Sequence, residues 1–83
     1  MPEICRFYGI IIKMHINDHP PPHFHAEYEA TINIETLAVI AGSLPSRALG
    51  LTIEWASLHQ NDLRGLWEKA RNYESLNKLD PLQ

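Results

Sequence analysis

The stretch IIIKMHINDHPPPHFHAEY, residues 10–28, alternates on both sides of a proline break, and its alternation points to the fold. Ile10, Ile12, Met14 and Ile16 share one parity, while Lys13 and His15 share the other. Period two is the signature of a strand with one face against a core. Pro20 to Pro22 lack the amide hydrogens that a ladder needs, so pairing lapses there. Alternation resumes with Phe24, Ala26 and Tyr28 on one side and His23, His25 and Glu27 on the other.

Working outward, residues 4–8 form a preceding strand, with Gly9 permitting a bend or bulge before the next. Residues 29–34 continue the alternation with Ala30, Ile32 and Ile34 inward, and a short strand over residues 37–41 follows. The polar face of this sheet carries Lys13, His15, His23, His25, Glu27, Thr31 and Asn33. From Pro45 the period becomes helical. Pro45 suits a first helical turn, with Ser43 or Ser46 as capping side chains. Ala48, Leu51, Trp55 and Leu58 make one stripe, widened by Leu49, Ile53 and Ala56, and Gly50 suggests a close helix–sheet contact. Asn61 or Asp62 caps a second helix running to about Asn72, whose apolar side is Leu63, Leu66, Trp67 and Ala70. The expected fold is α+β: an antiparallel meander of three to five strands with two C-terminal helices packed on one face. As one domain it divides into a sheet (1–42), two helices (45–72) and an extended apolar tail (73–83). Leu76, Leu79 and Leu82 in that tail suit docking against the chain's own sheet or a partner.

Composition narrows the function classes. The 83 residues carry ten acidic and seven basic side chains, a formal net charge of −3, which argues against non-specific binding to nucleic-acid phosphates. One cysteine, Cys5, leaves no internal disulfide, and a buried structural role suits it better than a nucleophilic one. No secretory leader pattern opens the sequence and no apolar run approaches the roughly 20 residues of a membrane span, so a cytoplasmic protein is expected. A chain this short buries a thin core, and a dimer interface would add to it.

The histidines carry the chemistry. Residues i and i+2 of a strand point the same way, so His23 and His25 can converge on one ion, with Glu27 extending the row. His15 joins from the neighbouring strand if the register allows, and His19 or Asp18 from the loop. Imidazole and carboxylate together suit zinc, manganese or nickel, and an incomplete shell leaves room for water or substrate. In that hydrolase or nuclease reading the metal ligands are drawn from His15, His19, His23, His25 and Glu27. Asp18, His23 and His25 are its catalytic candidates, and Arg6 is its candidate anion-binding group. The alternatives are a metal-free acid–base pair at His23 and His25, and a solvated hairpin whose loop is locked by Asp18. Two successive helices also suggest helix-turn-helix, but Asp62 and Glu68 among Arg64, Lys69 and Arg71 fit a solvated face better.

The chain resembles the small bacterial family of unknown function numbered 4160. The resemblance rests on Pro2, Ile4, Arg6, Phe7 and Gly9, then on Asn17-Asp18-His19 and Pro21-Pro22-His23-Phe24-His25-Ala26. It continues through Glu54-Trp55, Leu58-His59, Trp67-Glu68-Lys69-Ala70 and a closing Leu-x-Lys-Leu-x-Pro-Leu. It implies that the histidine motif is a family feature. It also implies a small partner protein encoded nearby, in a toxin–antitoxin-like pair. The thin core and apolar tail make a protein-binding module the first expectation, one that associates with such a partner as the toxin-like member or with itself as a homo-oligomer, and the metal-dependent hydrolase is the second. The acidic balance counts against an RNA-cleaving toxin.

Overall fold

The computed structural model describes residues 2–27 and 30–83. Five strands, β1 (Glu3–Phe7), β2 (Ile10–Lys13), β3 (His23–Ala26), β4 (Ala30–Asn33) and β5 (Val39–Ala41), precede helices α1 (Ser46–Leu58) and α2 (Gln60–Arg71). The strands form one antiparallel sheet in the order β1-β2-β3-β4-β5, an uninterrupted meander in an α+β fold.

The alternation places the core as the sequence implies. Ile10, Ile12 and Met14 are buried together with Phe24, Ala26, Ala30, Ile32 and Ile34. Trp55 of α1 is buried against this face, its ring 5.6 Å from Phe7 and 5.9 Å from Phe24. Leu63, Leu66, Trp67 and Ala70 of α2 complete the core. Fully burying side chains of this size contributes roughly 1.5–3 kcal/mol each, so this one face dominates the stability.

Several local expectations give way. Tyr8 belongs to a two-residue turn in which Tyr8 (φ 48°) and Gly9 (φ 80°) both adopt the left-handed conformation and Phe7 pairs with Ile10. A turn of that hand matches the twist of the two strands it joins. The first strand instead has its irregularity between Glu3 and Cys5. β2 ends at Lys13, and Ile16 lies exposed beyond it. β3 ends at Ala26 because Glu27 turns left-handed at φ 55°. Tyr28 and Glu29 lie outside the described residues.

Pro45 occupies the cap position of α1, and no side chain caps that helix. Leu58 is 69% exposed, because α1 ends there and the chain turns at His59 into α2. Thr52 takes a buried place in the stripe by donating its hydroxyl to the Ala48 carbonyl at 2.8 Å. Gly50 is exposed, and a Cβ there would meet nothing within 4 Å, so no close helix–sheet contact explains it. α2 starts at Gln60, ahead of Asn61 and Asp62, and Gln60 donates its side-chain amide to the Ile34 and Glu35 carbonyls. The tail runs beside β1: the Leu79 amide bonds the Ile4 carbonyl, and the Trp55 indole donates to the Asp80 carbonyl.

Candidate metal centre

The site lies where the loop between β2 and β3 folds back along the sheet. Asn17, left-handed at φ 52°, donates its amide to the Ala70 carbonyl near the C-terminus of α2. That carbonyl is one of the last four of the helix, which lack an intrahelical partner. The Asn17 side chain adds a 2.7 Å bond to the Tyr73 hydroxyl. Further on, the Pro20–Pro21 bond is cis, and the Ile34 amide bonds the Pro22 carbonyl. These anchors carry Asp18 back to the start of β3.

Asp18 is the hub. Its Oδ1 accepts the His19 amide at 2.8 Å, and its Oδ2 faces His23 Nε2 at 2.9 Å and His25 Nε2 at 3.5 Å. Burial pushes the carboxyl pKa up. The His19 amide, the hydrogen bond and charge of His23, and the nearby His25 imidazole outweigh that effect and hold it down at about 2.

His23 is 8% exposed and lies 5.1 Å, ring to ring, from Trp67. Its Nδ1 stands 2.7 Å from the Pro21 carbonyl. Both ring nitrogens of His23 thus face oxygen acceptors, the Pro21 carbonyl and the Asp18 carboxylate. His23 therefore holds Asp18 in place and has no ring nitrogen left over for the cluster.

His25 is different. Its Nδ1 meets the Thr31 hydroxyl at 3.3 Å, whereas Nε2 is buried without a hydrogen-bond partner, which holds for no other side-chain polar atom among the described residues. At 3.5 Å from Asp18 Oδ2, Nε2 is near the carboxylate but not bonded to it. His15 stands edge-on to His25, with ring centroids 4.2 Å apart. Burial first, and then the charge of His15, lower the His25 pKa, which favours its neutral form.

One ligand atom each of His15, Asp18 and His25 lies within 4.8 Å of the others. Two ligands of a tetrahedral zinc, each at about 2.0–2.1 Å, stand roughly 3.3 Å apart, close to the Asp18–His25 separation. The Thr31 hydroxyl, which can accept as well as donate, accommodates the tautomer with hydrogen on Nδ1 that a metal at Nε2 would require.

The other sequence candidates lie elsewhere. The His19 side chain is exposed, and only its backbone amide serves Asp18. Glu27 Oε1 accepts the Ile11 amide at 3.2 Å, closing the ladder past the end of β3. Arg6 is on the same sheet face as Lys13, but its guanidinium pairs with Glu3 at 2.8 Å. Thr31, as the hydroxyl partner of His25 Nδ1, was missed as a site residue. Its place directly opposite His25 depends on the β3–β4 register, which strand periodicity alone leaves open. Burial pushes the Cys5 thiol pKa up, which suits packing rather than nucleophilic attack. An open groove of about 560 Å³, lined by Tyr8, Ile10, Glu27, Leu44, Pro45 and Ala48, occurs at the other end of β2 and contains none of the histidines.

The fold and site thus define a small α+β protein with a preorganised histidine–aspartate cluster. The chain belongs to the family described as domain of unknown function DUF4160, whose model matches residues 9–68. That match spans β2 through most of α2 and includes every residue of the cluster. No curated protein and no solved structure matches the chain. Among the described residues, no helix is long and apolar enough to cross a membrane.

Proposed function

We propose that His15, Asp18 and His25 hold a divalent cation, zinc, manganese or nickel, and that the protein uses it for hydrolysis. The observation that supports this reading is His25 Nε2, buried without a hydrogen-bond partner and 3.5 Å from Asp18 Oδ2 in a half-buried site. A cation there would give the orphaned nitrogen a partner. Three protein ligands leave a coordination position for water, which a bound metal acidifies toward neutrality. His23 and Thr31 fix the orientation of two of the ligands.

Calorimetric titration of Zn²⁺, Mn²⁺ and Ni²⁺ into tag-free, metal-stripped protein tests the reading. Micromolar or tighter binding is expected for at least one ion, lost in His25→Ala and in His15→Ala. His23→Gln is expected to weaken it about 10–100-fold through the loosened Asp18. Absence of binding in the unaltered protein sinks the proposal.

A second reading, a protein-binding module acting as the toxin-like member of a pair or as a homo-oligomer, has its own support. The tail lies along β1, whereas among the described residues the outer edge of β5 has no neighbouring strand, and Val39 and Ile40 are exposed there, the latter by 48%. An unpaired apolar edge invites strand addition. Light scattering of the chain alone, and coexpressed with the product of the adjacent gene, is expected to show a complex that Ile40→Lys disrupts. A strict monomer under both conditions removes this reading.

A further inference from the structure

Resting on the metal reading, we propose that the open position of the centre takes the phosphoryl group of a phosphate ester, and that Lys13 holds that group.

The placement follows from register. Lys13 of β2 is directly opposite His25 of β3, and Thr31 is the next residue across on β4. Directly opposed residues in antiparallel strands have their Cβ atoms about 5 Å apart on one face. Helix α1 packs on the other face, where Phe7 and Phe24 meet Trp55, so Lys13 and His25 share the face turned away from α1.

Lys13 is also available. The carboxylate on its other side, Glu3, is its register partner on β1, but both Glu3 oxygens already bond Arg6, at 2.8 and 3.3 Å. Among the described residues, Lys13 forms no ion pair or side-chain hydrogen bond.

Charge then selects the ligand. The chain as a whole is acidic, yet Asp18 is the only carboxylate in the cluster, and one negative charge does not offset a divalent ion with Lys13 beside it. An anion at the open position would balance that charge. A phosphate ester supplies several acceptor oxygens on one centre, able to reach the metal and an ammonium together. In hydrolysis the water oxygen forms a new bond to phosphorus as the bond to the ester oxygen breaks. The proton lost by water ends on the departing alcohol, and Lys13 keeps its charge throughout.

Inorganic phosphate, titrated calorimetrically into the full-length, zinc-loaded chain, tests the assignment beside Lys13→Met and Lys13→Arg. Zinc affinity and circular dichroism are measured on the same samples, with p-nitrophenyl phosphate and p-nitrophenyl acetate as reporter substrates. Expected are phosphate binding that weakens at least about tenfold in Lys13→Met and partly returns in Lys13→Arg, at unchanged zinc affinity. Turnover of the phosphate reporter in preference to the acetate is expected alongside. Zinc bound without phosphate, phosphate held equally well by Lys13→Met, or preference for the acetate overturns the inference and leaves the metal reading standing. Failure to bind zinc overturns both, and the zinc titration shows which has failed. If Lys13→Met misfolds, Lys13→Gln takes its place in the same comparison.

Discussion

Asp18 links the loop to the sheet through its His19, His23 and His25 contacts. Its folded-state pKa of about 2 is below the ordinary value of 3.8. A carboxyl depressed in this way stabilises the fold above its unfolded pKa, and the contribution is lost as pH falls through the folded value. The window is therefore about pH 4 down to pH 2, and the amount is about 2 kcal/mol. Urea unfolding from pH 7 to pH 2 should show that loss. Asp18→Asn should unfold more easily at neutral pH by a similar amount and respond less to acid in the same window. His25, depressed chiefly by burial, adds loss of the same sign starting below its ordinary value of 6.5. The identity of these residues was legible in the sequence, but their division of labour was not. Periodicity places His23 and His25 on one side of a strand. It does not show that the Pro21 carbonyl and Asp18 occupy both nitrogens of His23 while Nε2 of His25 is left bare.

At the scale of elements, the N-terminal alternation and the α2 stripe transfer directly to burial, because each pattern matches the period of its element. The misplacements occur at element ends. Leu58 keeps helical phase with Trp55 yet falls where α1 turns into α2, and Glu27 keeps strand phase yet sits past a left-handed break. Phase predicts a face only while the element continues. The tail forms no helix or strand, and it is held by a few bonds together with Leu76, Leu79 and Leu82 packed on the core. Trp55→Phe retains most of the ring packing but removes the 2.8 Å bond to the Asp80 carbonyl. It is expected to cost about 1 kcal/mol and to accelerate hydrogen exchange at the Leu79 amide more than at β2 or β3 amides. Unchanged exchange at Leu79 would show that the leucines alone hold the tail.

For the whole molecule, a radius of gyration of 11.4 Å is close to the value of roughly 12 Å expected for a compact domain of this length. With so small a core, a bound ion contributes a large share of the net stability. Zinc at a hundredfold excess over its dissociation constant stabilises by about 2.7 kcal/mol. A domain this size gains roughly 4–8 °C in Tm per kcal/mol, so the midpoint should rise by about 10–20 °C in calorimetry and return on chelation. The His25→Ala variant should show no such rise.

The sequence by itself determined the meander, the two-helix cover and the gathering of polar groups around the triple proline. Those follow from local periods and from the missing proline amides, which act over a few residues. Only the tertiary structure decided which groups meet. His15, Asp18 and His25 converge because the loop carrying Asp18 is tied at Asn17 to the Ala70 carbonyl, and because strand register sets Thr31 and Lys13 beside His25. Bonds between residues so distant in sequence form only when the helices settle on the sheet, so no local pattern encodes them.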